Sequence, residues 1–92
     1  RNMTDKQTMH DYLLDRLTKL DTPEECEIFL QDLCTFAEVD NMAQRLYSAK
    51  LMLEGKTYSQ VIEETQISSA TLSRVSVCIK HGNGGYRTVI EK

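Results

Sequence analysis

Two helix-start signals stand close together in the second half of this chain, and they constrain its fold more than any other feature. Thr57-Tyr58-Ser59-Gln60 reads as a capping box: the Thr hydroxyl accepts an early helical N–H, and the Gln side chain reaches back to the cap. Ser68 reads as the next N-cap, with its hydroxyl near the N–H of Thr71. The helix between the two caps must therefore be short and the turn after it tight. Val61 and Ile62 are expected to face inward, Ile67 to plug the turn, and Leu72, Val75 and Ile79 to anchor the second helix at helical spacing. This is the pattern of a helix-turn-helix over residues 57–81. One position strains it. Turns of this kind often place glycine where Gln66 stands, and a left-handed Gln costs about 1 kcal/mol.

The rest of the chain also reads as helices. Thr4-Asp5-Lys6-Gln7 is a further capping box, and Leu13, Leu14, Leu17 and Leu20 make residues 5–20 an amphipathic helix. Pro23 follows Thr22 at a first helical position, with Glu24 and Glu25 at the positive end of the dipole. Phe29, Leu30, Leu33 and Cys34 form the stripe of that second helix. Thr35-Phe36-Ala37-Glu38 caps a third, in which Val39, Met42, Ala43, Leu46, Ala49 and Leu53 recur at spacings of three and four. Gly55 ends it in a left-handed conformation. Gly82-Asn83-Gly84-Gly85 reads as a helix stop and flexible joint, and only Thr88-Val89-Ile90 suggests a strand. The expected fold is all-α, a single domain over residues 1–92. Arg1-Asn2 ahead of Met3 reads as a cloning remnant, and residues 1–3 are expected to lie outside the fold.

Composition bounds the function. With 92 residues, the chain buries only ~60% of its unfolded surface, so it is expected to lean on a second copy of itself. Three cysteines and no signal-peptide pattern argue against a disulfide framework. No apolar run approaches the roughly 18 residues of a membrane span. The expectation is a small cytoplasmic protein that does not engage a membrane. Charge is split: residues 1–40 carry ten acidic against four basic side chains, and residues 41–92 carry seven basic against four acidic. The second half is thus suited to a polyanion.

The outward face of the second helix-turn-helix helix begins with Ser69, Ala70, Thr71, Ser73 and Arg74. Small and hydrogen-bonding side chains allow a helix N-terminus to approach groove edges and phosphates. Double-stranded DNA is the expected partner. Phosphate contacts are expected from Ser68–Thr71, Lys56 and Lys80, and base readout from Ser69, Ala70, Thr71 and Ser73. The competing reading is a protein–protein interaction module that uses the same two-helix head without touching DNA.

Three segments together carry a family resemblance: Glu54-Gly55-Lys56-Thr57-Tyr58, Ser69-Ala70-Thr71-Leu72-Ser73-Arg74-Val75, and Gly82-Asn83-Gly84-Gly85-Tyr86. Over about residues 22–86 the chain resembles the tryptophan-repressor family, most of all its Gram-positive branch of the YerC/YecD type. The resemblance implies an intertwined helical homodimer whose first three helices share a core and whose helix-turn-helix projects as a DNA-reading head. It implies a sequence-specific transcriptional regulator, a repressor acting on a dyad operator. It also implies an amino-acid corepressor pocket, onto which Thr35, Arg45, Arg74 and Cys78 map by position. Arginine suits a carboxylate because its planar fork pairs through two parallel bonds. Arg45 could equally be a dimer contact, and Arg74 a phosphate contact. Val75 and Cys78 stand where the repressor has glycine and serine. A branched Val75 should fill the space of an indole, which argues against tryptophan as the ligand.

No catalytic, cofactor or metal set is expected. Cys26 and Cys34 lie eight apart on one helix, ~12 Å by rise, too far to share a metal, and read as buried apolar packing. His10 and His81 read as surface residues. The glycine-rich Gly82–Gly85 lacks the following Lys-Ser/Thr of a phosphate loop. No ordered Ser/His/Asp or Cys/His set suggests an enzyme.

Overall fold

A computed structural model describes residues 3–92; the remnant expected at Arg1 and Asn2 lies outside the described residues. All regular structure among them is helical: α1 (Lys6–Leu17), α2 (Pro23–Leu33), α3 (Phe36–Leu53), α4 (Tyr58–Thr65), α5 (Ser69–His81) and α6 (Gly85–Ile90). The chain divides into two compact units, residues 1–35 and 36–92.

The first unit contains α1 and α2. Asp5, not Thr4, caps α1, and its carboxylate accepts the Thr8 N–H at 2.8 Å. Aspartate is at least as good a cap as threonine, and its charge favours the positive helix end. Gln7, expected to reach back to the cap, instead donates to Asp11 at 2.8 Å. The helix stops at Leu17 rather than Leu20. Lys19 and Leu20 donate to the carbonyls of Arg16 and Leu17 in tight turns, while the Thr18 hydroxyl bonds the Asp15 carbonyl. Thr22 caps α2 by accepting the Glu25 N–H, and the Glu25 carboxylate accepts the Asp21 N–H in return. Neither helix holds a buried residue. Met9, Tyr12, Leu13, Leu14, Leu17, Ile28 and Leu33 are all exposed. Cys26 and Cys34, expected in a core, are only half-buried for the same reason.

The second unit has a core. Helix α3 packs against α4, α5 and α6, and α5 touches both α4 and α6. Ala49, Leu51, Val61, Ile67, Leu72 and Val75 are buried together, with Met52, Ile62, Ile79, Tyr86 and Ile90 packed around them. Of the inward residues expected of the helix-turn-helix, Val61, Ile67, Leu72 and Val75 are in this core, and Ile62 and Ile79 are partly buried at its edge. Gly55 ends α3 at φ +92°, and the N–H groups of Gly55 and Lys56 close onto the carbonyls of Met52 and Leu51. Residues 88–90 are helical rather than extended. Left-handed Gly84 starts α6, and the Thr88 hydroxyl donates back to the Gly84 carbonyl. Tyr86 and Ile90, one turn apart, then lie on the core side. The expected flexible joint is in fact this helix start.

Candidate nucleic-acid interface

The candidate interface is built at the turn between α4 and α5. The capping box at Thr57 and Gln60 forms with both bonds, at 3.2 and 2.9 Å. Gln66 takes the left-handed conformation expected of it, at φ +63°. Its N–H bonds the Ile62 carbonyl, and its side-chain amide donates to the Glu63 carbonyl, so local bonds offset the strain. Ile67 plugs the turn at 1% exposure. Ser68 caps α5: its oxygen accepts the Thr71 N–H at 3.1 Å while its hydroxyl donates to the Thr71 hydroxyl at 2.9 Å.

With Leu72 and Val75 buried, the opposite face of α5 is left open, and Ser69, Ala70, Ser73 and Arg74 are exposed on it while Thr71 is half-buried. No carboxylate occurs on α5, whose only ionisable side chains are Arg74, Cys78, Lys80 and His81. The positive end of its dipole is therefore unopposed by its own side chains. Lys56 and Lys80 are exposed as well. Lys56 borders a groove with Gln60, Glu63 and Glu64, so two carboxylates stand near that cation. Lys80 shares a cleft with Arg87, which is ion-paired to Glu91 at 3.3 Å.

Within the second unit, the mapped residues Arg45, Arg74 and Cys78 do not all share one hollow. Arg45 and Arg74 do: with Asn41, Gln44 and Thr71 they line a cavity of about 320 Å³ between α3 and α5. Neither arginine pairs with a carboxylate among the described residues. Cys78 borders a different, apolar hollow with Leu46, Tyr86 and Val89. Thr35 closes the first unit. Val75, expected to occupy the ring site of a ligand, is packed into the core beneath α5 and does not line the arginine cavity. The side chains that line the arginine cavity are polar.

Three contributors escaped the sequence reading. Gln44 donates to the Thr65 carbonyl at 3.0 Å, and the hydroxyl of fully buried Ser48 bonds that of Thr65 at 3.2 Å. In the sequence Gln44 and Ser48 lie across α3 from its expected apolar stripe, on the side that carries Leu51 and Met52, so the stripe gave no signal for them.

Known proteins share this arrangement. The Trp repressor protein family model matches residues 8–92. The uncharacterised YerC protein of Bacillus subtilis is 40% identical over 82 residues, covering 89% of this chain and 79% of that protein. A crystal structure from Staphylococcus aureus, provisionally assigned as a Trp repressor, superposes with a TM-score of 0.87 at 37% identity, covering 90% of this chain and 83% of the other. A TrpR-like protein of Eubacterium eligens superposes at 0.86 with 33% identity, covering 95% and 88%. The chain belongs to the Trp repressor family, a family of DNA-binding regulators rather than enzymes.

Proposed function

We propose that this protein is a sequence-specific transcriptional regulator, a cytoplasmic repressor that binds a dyad operator in double-stranded DNA as an intertwined homodimer. The observation that carries the reading is the open face of α5: a capped N-terminus, small side chains at Ser69, Ala70 and Ser73, an unpaired Arg74, and no acid along the helix. Ser68, Thr71, Lys56 and Lys80 supply the phosphate contacts, and Ser69, Ala70, Thr71 and Ser73 meet base edges. Dimerisation is supported by the first unit. Two helices with no buried residue and seven exposed large apolar side chains need a covering surface, and a second copy supplies one. Two heads related by a dyad then reach half-sites about 34 Å apart.

The arginine cavity is suited to a small anion, such as the carboxylate of an amino acid. It offers an indole no apolar wall within the chain. Selection of duplexes from a random pool, followed by titration of the best one against salt, tests the proposal. A symmetric site and affinity that falls steeply with salt are expected. Absent or salt-insensitive binding would instead mark the head as a protein-interaction module. Sedimentation at micromolar concentration tests the assembly, and a folded monomer would refute the dimer.

A further inference from the structure

We propose that Thr65 is a positioning residue for DNA reading: pinned to α3 by Ser48 and Gln44, it fixes the direction in which α5 leaves the turn. The inference rests on the DNA-binding reading above. Thr65 is the last residue of α4, and its hydroxyl uses its full capacity of one donor and two acceptors. It donates to the Val61 carbonyl at 2.7 Å, and accepts from the Ser48 hydroxyl at 3.2 Å and from the Ile67 N–H at 3.3 Å. Its carbonyl, one of those a helix end leaves without a partner, accepts from Gln44 at 3.0 Å. Gln44 and Ser48 lie one turn apart on α3, so one helix face grips one residue at two points.

The steps from there to the reading helix are few, and each is fixed. Gln66 is held left-handed by bonds to Ile62 and Glu63, Ile67 is buried, and Ser68 caps α5. Apolar packing at Val61, Ile67 and Leu72 holds the helices together but is not directional. Hydrogen bonds weaken steeply off their axis, so the Thr65 clamp is the part that sets angle. Gln44 also borders the arginine cavity, so the same side chain touches both the cavity and the turn.

The test compares wild type, Thr65→Val and Thr65→Ser on the duplex selected by wild type and on an unrelated duplex at low salt, with backbone amide exchange measured in parallel. Thr65→Val should lose about tenfold or more on the selected duplex, the scale of one unsatisfied buried group, and stay within about twofold on the unrelated one. Thr65→Ser keeps the hydroxyl and should bind the selected duplex within about threefold of wild type. Exchange should quicken selectively at residues 66–71 in Thr65→Val, with Val75–Ile79 unchanged. Equal losses on both duplexes, a Ser variant as weak as Val, or uniformly faster exchange would each overturn the proposal. If Thr65→Val does not fold, Gln44→Leu, which removes only the carbonyl bond, is judged by the same ratio of the two duplexes. A wild type that selects no duplex removes the DNA-binding reading and this proposal together. A wild type that binds while Thr65→Val binds equally well removes the proposal alone.

Discussion

Val75 offers the sharpest test of how the reading head is held. Its side chain is 2% exposed and sits among Ala49, Leu51, Val61, Ile67 and Leu72, between α5 and the helices beneath it. Val75→Ala deletes two buried carbon groups, about 1.6 kcal/mol of transfer energy, and the partly unrelaxed cavity brings the cost to about 2 kcal/mol. Val75→Gly adds the backbone freedom of a mid-helix glycine, about 1 kcal/mol more. A chain of 92 residues has only about 5–14 kcal/mol of stability, so the glycine variant forfeits a large share of it. Ser73→Gly on the exposed face of the same helix controls for the backbone term and should cost under about 1 kcal/mol. Urea unfolding at one fixed protein concentration reads all three, because association would otherwise shift the midpoints. For the two Val75 variants DNA affinity should weaken in the same order, Gly more than Ala. A Val75→Ala variant within about 0.5 kcal/mol of wild type would refute the claim that this side chain anchors α5.

Ser73→Glu places a carboxylate on the open face of α5 and should weaken duplex binding at every salt concentration in a filter or anisotropy titration, with the melting temperature unchanged. Gly82→Ala would set its Cβ 2.5 Å from the Cys78 carbonyl oxygen, a backbone atom that cannot step aside, and should destabilise the unit by about 1–3 kcal/mol in thermal unfolding. The Thr8 N–H holds the Asp5 carboxyl below its ordinary value of 3.8. Its stabilising effect is complete above that value and lost as pH falls through the lowered folded one; Asp5→Asn should flatten that part of an acid titration followed by circular dichroism. L-Tryptophan should change duplex affinity by less than about threefold at fixed salt, and a tenfold gain would show that the polar cavity accepts an indole after all.

What could be read from the sequence were signals that act within one or two turns. The caps at Thr22, Thr57 and Ser68, the glycine stop at Gly55, the left-handed Gln66 and the inward set Val61, Ile67, Leu72 and Val75 all depend on neighbours close in the chain. Two adjacent caps, Thr4 and Asp5, competed at the first helix, and aspartate won through charge as well as geometry. Residues 88–90 are β-branched and look like a strand locally, yet Tyr86 and Ile90 find the core only on a helix. The clamp at Thr65 was illegible because its parts come from residues 44, 48 and 65, brought together by packing alone. The split of Arg74 from Cys78 is of the same kind: they lie one turn apart on α5, yet Arg74 joins Arg45 of α3 in one hollow while Cys78 borders another.

The chemistry of α5 carries a consequence for how such a head distinguishes sequences. Ser69, Ala70 and Ser73 are short, and only Arg74 on the open face is long enough to grip a base with two bonds. Short side chains let the helix end come close, but each contributes little discrimination by itself. On the proposed DNA-binding reading, selectivity would then come largely from fit: how the duplex shapes its groove and phosphates to a head of fixed pitch. A head that reads shape is only as selective as its own geometry is rigid, since a loose helix tolerates many grooves. That requirement matches where the fold spends its buried polar groups. Ser48 is fully buried and is used on the turn rather than on a ligand, and the Thr65 hydroxyl has no capacity left unused. Loosening the turn should therefore broaden the set of duplexes bound before it abolishes binding, whereas a charge at Ser73 should lower affinity for all of them alike.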